Sequence, residues 1–429
     1  MKILQLSDIH WGNDSSMQDK FKNLRDGMLE YLELYREQNK EKFDFIFICG
    51  DIAFSGLDTQ YKKAENFINE LCNIIGCKQT AVLMVPGNHD KNRKSPPILL
   101  RKHLHQIMGE DGNIADSILD NALNTSIDSC KFLFEPFRKY DEFAEKFGSR
   151  EPLMAKMLSE EKISPFQEKV DKMYWKRELT DNLQGYKLNV YGMNSAFSCD
   201  EDDFDYSEKR KDGHKMFLSK FAYKEPRHQS DSINIFMTHH PVAFLANSKE
   251  IKKELDKRYQ IQFFGHVHRT DSDSDNGAIH IYSGALQPPE GEIKNAEYNP
   301  VFNILNIDIT KNIDSANTLC VDLDVIAWNG KEFAKDNKKS KPLSLPLERK
   351  VLSESAPSCI NTSLPDGVIK NDVYMKFINF PMAEDVIDDM NIGTFDDPVA
   401  YINKINFLDC IESKGMWVEL WTKMKEYES

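Results

Sequence analysis

Histidine is scarce in this chain of 429 residues, eleven in all, yet six of them stand in four short motifs, two of which also carry an acid or an amide. Asp8 and His10 form a D-x-H pair, Asn88, His89 and Asp90 follow Gly87, His239 and His240 precede Pro241, and His266 and His268 flank Val267. A fifth motif, Gly50-Asp51, adds a carboxylate whose two oxygens can bridge two cations. Imidazole, carboxylate and an amide oxygen together suit first-row divalent ions such as Mn, Fe, Zn or Co better than calcium or a thiolate site. Asn88 offers a neutral carbonyl oxygen, His89 a proton donor near neutral pH, and Asp90 a partner that can fix the tautomer of His89. Taken singly, D-x-H or GD is ordinary turn chemistry. Scattered core histidines would not gather six strong in such positions.

The other histidines, His103, His105, His214, His228 and His280, have no ligand spacing and read as surface or locally hydrogen-bonded residues. The segment from Asp271 to Gly277 suggests a calcium loop but fails as an EF-hand, because Asn276 stands where Gly is needed and Tyr282 where Glu is needed. A hairpin turn is the better reading.

The motifs sit at the ends of short apolar runs. KILQLSD, FDFIFICGD and TAVLMVPGNHD are strands buried on both faces that end in an acid, with amphipathic stretches between them that predict helices. Open α/β folds place ligands beyond such strand ends. From Ser95 to about Arg177 the periodicity becomes helical, which predicts an insertion; strands return at YKLNVYGMNSAF, SINIFMTHHP, IQFFGHVH, AIHIYSGAL and FNILNIDI, enough for a second sheet. The expected organisation is a catalytic domain over 1–335 with the insertion at 95–177, a linker at 336–350 and an accessory region at 351–429 that ends in a helical stretch.

Lys and Arg number 55 against 69 Asp and Glu, a formal net charge of -14, which argues against a chain that grips long duplex nucleic acid unaided. The N-terminal apolar stretch is too short for a secretory signal and no run approaches the roughly 20 apolar residues of a membrane span, so a cytoplasmic protein with no membrane association is expected. The eight cysteines lack a CxxC pair and read as reduced packing residues.

In order, D-x-H, GD, GNHD, HHP and GHVH resemble the pattern of the calcineurin-like metallophosphoesterase superfamily, with all five blocks present without substitution over roughly Met1 to Ile309. The wording GDIAFSG followed by VPGNHDKNR looks like a bacterial cytosolic branch. The resemblance implies a four-layer α/β/β/α sandwich and two divalent metal ions, manganese first. It gives Asp8, His10 and His268 to one metal, Asn88, His239 and His266 to the other, and Asp51 to both. It makes His89 the acid, Asp90 its orienter and His240 a supporting or substrate-facing residue. The expected reaction is hydrolysis of a phosphate ester, a diester foremost, by a hydroxide bridging metals roughly 3.5 to 4 Å apart. A DNA or RNA nuclease acting with a partner protein is the alternative, and Arg101, Lys102, Arg138 and Lys139 would line the cleft in that case. Retention of every ligand and of His89 weighs against a non-catalytic scaffold, and apolar residues in the C-terminal region offer a face for a protein partner, for self-association or for packing.

Overall fold

Apolar side chains on both sides of an extended backbone need cover on two faces, and β1 (Lys2–Leu6) has it: Ile3, Leu4 and Leu6 are fully buried. β2 (Phe45–Ile48) and β3 (Val82–Met84) run parallel to it. The crossovers between them carry helices α1 (Ser15–Asn39) and α2 (Asp58–Ile75), the latter closed by Gly76 at a φ of 71°. The computed structural model describes residues 1–12, 15–95, 135–148, 174–199, 216–218, 223, 232–246, 248–287, 299–312, 316–347, 364–365, 368–380, 382–390, 392–393 and 400–428.

A short helix, α3 (Arg138–Ala144), packs Tyr140, Phe143 and Ala144 into the core beside α2. The next six strands are β4 (Tyr174–Leu183), β5 (Tyr186–Met193), β6 (Ser232–Thr238), β7 (Ile261–Phe264), β8 (Asp271–Asp275) and β9 (Ala278–Tyr282). They form a second sheet in the order β4-β5-β6-β7-β9-β8, with helix α4 (Ser248–Arg258) between β6 and β7. The chain then returns to the first sheet with β10 (Val301–Thr310), antiparallel to β1, β11 (Thr318–Trp328) and two short strands on β11, β12 (Phe333–Lys335) and β13 (Lys341–Pro346).

Three apolar clusters define the layering. Ile3, Phe47 and Leu83 of the first sheet pack with Ile235, Phe263 and Ile281 of the second. On the far side of the first sheet, Leu4, Ile48 and Met84 meet Met28 and Leu32 of α1 and Ile68 and Leu71 of α2. On the far side of the second, Phe236 and Phe264 meet Ile251 and Leu255 of α4. The order helix, sheet, sheet, helix is the α/β/β/α sandwich that the motif resemblance implies.

Several expectations need correction. The expected linker at 336–350 is structured over its described residues, 336–347, since Lys341–Pro346 form β13 and Leu343 and Leu345 bury against the first sheet. The alternation of small apolar residues with Lys, Ser and Pro made a one-faced edge strand look like a tether. The helical reading does not extend to Arg177, because β4 begins at Tyr174; of the rest of 95–177, only Ser95 and 135–148 are among the described residues. Within the expected turn at 271–277, Asp271–Asp275 are strand, and Asn276 and Gly277 alone make the turn to β9. The sequence reading holds no strand at β11, although LCVDLDV alternates as a strand with one buried face does.

The chain divides into two units, Met1–Arg349 and Lys350–Ser429. The second contains helices α5 (Lys370–Ile378), α6 (Ala383–Met390), α7 (Ala400–Lys414) and α8 (Trp417–Glu428) around its own core of Phe377, Ile387, Phe407, Leu408, Trp417 and Leu420. Cys49, Cys72, Cys77, Cys199, Cys320 and Cys410 are free thiols. Among the described residues no helix is long and apolar enough to cross a membrane.

Candidate metal centre

The loops leaving β1 and β2 run side by side. Backbone N–H groups of Asp8, His10 and Trp11 donate to the carbonyls of Gly50, Asp51 and Ile52 at 3.1, 2.9 and 2.9 Å, which continues the parallel pairing past the strand ends. Within this zipper Asp8, His10 and Asp51 take φ values of 53°, 50° and 53°, and His266 and His268 take 69° and 55° across the site. A left-handed backbone disfavours residues with a Cβ by roughly 1 kcal/mol or more, so five such residues in one place mean that the surrounding fold holds them there.

Two motif glycines are explained by close approach. A Cβ at Gly87 would lie 2.1 Å from Oδ1 of Asp51, and one at Gly265 would lie 2.3 Å from Oγ of Ser7 and 2.4 Å from the Cys49 carbonyl oxygen. These glycines let β3 and β7 deliver their following residues against β1 and β2.

The second sheet contributes from β6 and β7. His239 pairs its Nδ1 with the Cys49 carbonyl at 2.7 Å, which joins the two sheets, and aims Nε2 at Asn88 Oδ1 (3.1 Å) and Asp51 Oδ2 (3.4 Å). Asp8 Oδ2 accepts from Ser7 Oγ at 2.5 Å and from the backbone N–H of His266 at 3.2 Å. Its Oδ1 faces Nε2 of His268 at 3.2 Å and Nε2 of His10 at 3.7 Å. Four overlapping groups result, in each of which the ligand atoms lie within 4.8 Å of one another: Asp8, His10 and His268; Asp8, Asp51 and His239; His10, Asp51 and His89; and His239, His240 and His266.

Charge is distributed unevenly. Burial works to raise the Asp8 carboxyl, but the His268 ring beside it and His239 outweigh burial and bring it down to about 2. Asp51 is likewise buried and still lies well below the usual carboxylate range, through His239 and His89. Burial pushes His10 down to about 4 and His266 to about 3, and His240 also falls well below the ordinary histidine value. His239 goes the other way, to about 9, because Asp51 and Asp8 overcome its burial. The carboxylates therefore draw positive charge toward His239, and a divalent ion would displace the proton there.

The residues also pass a direct test of fit. Oδ1 of Asp8 and both ring nitrogens of His10 are buried without a hydrogen-bond partner. Such atoms are costly to bury unless something coordinates them. A cluster of oxygen and imidazole donors with lone pairs turned inward can hold divalent cations.

Every sequence-predicted ligand is brought to this one place, but one role changes. Asp90 does not orient His89. Its carboxylate accepts the backbone N–H groups of Ile52, Ala53 and Gly87 at 3.1, 2.8 and 2.9 Å and the Tyr61 hydroxyl at 3.0 Å. Nδ1 of His89 instead meets the Phe54 carbonyl at 2.9 Å, and the Phe54 ring lies 5.0 Å from the imidazole. The tight turn after β3 sends Asp90 back into the loop after β2 and His89 outward, so the two side chains part.

Ser7, Phe54, Tyr61 and Ser195 were missed by the sequence reading. Ser195 Oγ lies 2.9 Å from Nδ1 of His240. Only Ser7, beside Asp8, carried a signal by position. Arg138 and Lys139 pair with Glu135 and Glu142 on the surface of α3, while Arg101 and Lys102 lie outside the described residues.

The uncharacterized metallophosphoesterase-like protein YydB of Bacillus subtilis (strain 168) is 24% identical over 366 residues, 80% of this chain and 63% of that protein, so the chain spans less than two thirds of that relative. A conserved uncharacterized protein of Streptococcus pneumoniae TIGR4, described as a predicted phosphoesterase, matches over 80% of this chain and 97% of its own at 11% identity and a TM-score of 0.30. GAP50, the anchor in the inner membrane complex of Plasmodium, matches over 82% and 90% at 10% identity and a TM-score of 0.38. The model of the calcineurin-like phosphoesterase family matches residues 1–270. That span takes in all five motifs and the strands that gather them, and the chain belongs to the calcineurin-like phosphoesterase family, whose members are metal-dependent.

Proposed function

We propose that this protein hydrolyses phosphodiesters with two divalent ions, manganese foremost. Asp8, His10 and His268 would hold one ion and Asn88, His239 and His266 the other, with the Asp51 carboxylate available to both. The observation that carries this reading is the convergence of these side chains, from five strand ends in two sheets, on buried oxygen and nitrogen atoms without hydrogen-bond partners. The ions would supply Lewis acidity toward water and the phosphoryl oxygens.

The chain's own residues do the rest. The Cys49 carbonyl accepts a hydrogen bond from Nδ1–H of His239 and so fixes Nε2, facing Asn88 and Asp51, as the atom that would bind the ion. Two donors on Oδ2 of Asp8 hold that carboxylate so that Oδ1 points inward. His240, anchored by Ser195, stands beside His266 and supports it, with ring centroids 4.8 Å apart. His89 is only partly buried, and its Nδ1–H is engaged by the Phe54 carbonyl, so Nε2 is the atom from which a proton reaches the leaving oxygen. A general acid in that position contributes a factor of about 10² to 10⁴ in rate. The acidic net charge of -14 favours small diesters over long duplex nucleic acid.

The test is hydrolysis by purified protein with Mn²⁺ of bis-p-nitrophenyl phosphate, p-nitrophenyl phosphate, 3′,5′-cyclic nucleotides, and single- and double-stranded DNA, with Asp51→Ala as control. Preference for diesters that vanishes in the variant supports the reading. Preference for the monoester, or degradation of DNA alone, replaces it with a monoesterase or a nuclease.

A further inference from the structure

Beside the metal cluster, on the outer face of the second sheet, lies a cavity of about 590 Å³. Its floor is set by register. Phe264, Tyr282 and Asp271 stand in one row across β7, β9 and β8, and Gln262, His280 and Asp273 in the next. The alternate residues of β7 and β9, Ile261, Phe263, Ile279 and Ile281, face the core between the sheets. The row nearer the metal cluster is aromatic, with Phe264 and Tyr282 stacked at 5.1 Å and an interplanar angle of 24°.

The cavity reaches the cluster. Phe244, on its wall, has its ring 5.0 Å from that of His266, and Val267 and Arg269, which follow His266 and His268 in the chain, line it too. At the opposite wall Lys249 projects from α4. Lys249 and Arg269 are exposed and have no ion-pair partner among the described residues. His280 is fully committed between Asp256 (2.9 Å) and Asp273 (2.7 Å), which makes the far end of the floor fixed and polar.

We propose that this cavity is a subsite for the nucleoside part of a phosphate ester. A volume near 590 Å³ lies within the range of pockets that bury most of a small ligand. The partly exposed rings of Tyr282, backed by the buried Phe264, and of Phe244 suit a planar ring, and the exposed carboxylates of Asp271 and Asp273 accept hydrogen bonds from ring amino groups or ribose hydroxyls. Lys249 and Arg269 complement phosphate at the mouth. An acyl chain fits less well, since it would strip water from the exposed carboxylates of Asp271 and Asp273 without replacing its hydrogen bonds. The inference deepens the hydrolase reading and rests on it for the link to catalysis.

The first experiment needs no metal. Equilibrium binding of AMP, adenosine and ribose 5-phosphate is measured on the full chain in the presence of a chelator. AMP is expected to bind at least tenfold more tightly than ribose 5-phosphate, and Tyr282→Ala to weaken it about tenfold through lost stacking. Lys249→Glu, a surface change, is expected to weaken AMP but not adenosine. Equal binding of AMP and ribose 5-phosphate, or indifference of AMP to both substitutions in folded protein, overturns the subsite.

With Mn²⁺, Tyr282→Ala is expected to raise the KM for the p-nitrophenyl ester of thymidine 5′-monophosphate about tenfold relative to that for bis-p-nitrophenyl phosphate. An unchanged ratio also overturns the proposal. If neither ester is hydrolysed, the hydrolase reading fails while AMP binding still decides the subsite.

Discussion

Two clusters of histidine and aspartate, one gathered from strand ends of both sheets and one on the second sheet, are built in opposite ways. At the candidate metal centre His10 is buried with neither ring nitrogen hydrogen-bonded, on a left-handed backbone, and burial lowers its pKa to about 4. At His280, one strand over from His266, both ring nitrogens meet carboxylates within 3 Å on a regular strand. Burial acts to lower the His280 pKa as well, but the hydrogen bonds to Asp256 and Asp273 outweigh it and the pKa is raised. Composition therefore does not separate a ligand cluster from a structural ion pair. What separates them is whether the polar atoms are already satisfied and whether the backbone is held in a costly conformation.

That contrast breaks most decisively at Asp51. Asp51→Ala is expected to lower metal-dependent turnover by about 10⁴-fold or more and to reduce bound metal measured by elemental analysis, since it removes a carboxylate shared by both ions. His280→Leu should leave metal content intact. Equal loss of metal in both variants would erase the distinction between the clusters.

A smaller effect is expected at His89. His89→Ala should lower turnover by about 10² to 10⁴-fold with metal content unchanged, because the side chain supplies a proton and not a ligand. A variant that loses metal in step with activity would make His89 part of the cluster that contains His10 and Asp51.

Asp90 sharpens the comparison from the stability side. Asp90→Ala strands three backbone N–H groups and leaves the Tyr61 hydroxyl only the residue 90 carbonyl, and it is expected to cost about 3 kcal/mol in denaturant unfolding. His89→Ala, at a partly exposed site, should cost about 1 kcal/mol or less. Equal costs would mean that the network around Asp90 is not what ties the loops after β2 and β3 together.

The smallest expected effect is a pH dependence at His280. Its folded pKa is raised, so its ion pairing stabilises fully below the unfolded histidine value near 6.5 and is lost as pH rises through the higher folded value. The Tm advantage of the native chain over His280→Leu should therefore shrink from pH 5.5 to pH 9. A constant difference across that range would mean that His280 packs as a neutral residue.

Much of this was legible before any coordinates. Strands that read as continuous apolar runs, β1, β2 and β6 among them, were found because burial on both faces leaves no polar alternation to confuse them. The strands with one exposed face were not: β13 and β11 carry polar residues on that face and blend with loops. In the same way, the ligand types were visible because each sits at the end of its own strand, while the partners of Asp90 were not.

The sequence by itself determined which side chains can bind metal, that they stand at strand ends, and that glycine precedes three of the motifs. Tertiary structure alone decided that Asp90 ties loops and the Phe54 carbonyl holds His89, that His239 bridges the sheets through Cys49 while His240 turns to Ser195, and that an aromatic trough adjoins the centre. The physical reason is range. Strand propensity and ligand chemistry are local properties of a few consecutive residues, whereas the partner of a buried polar atom is set by packing between segments as far apart as Cys49 and His239, 190 positions along the chain.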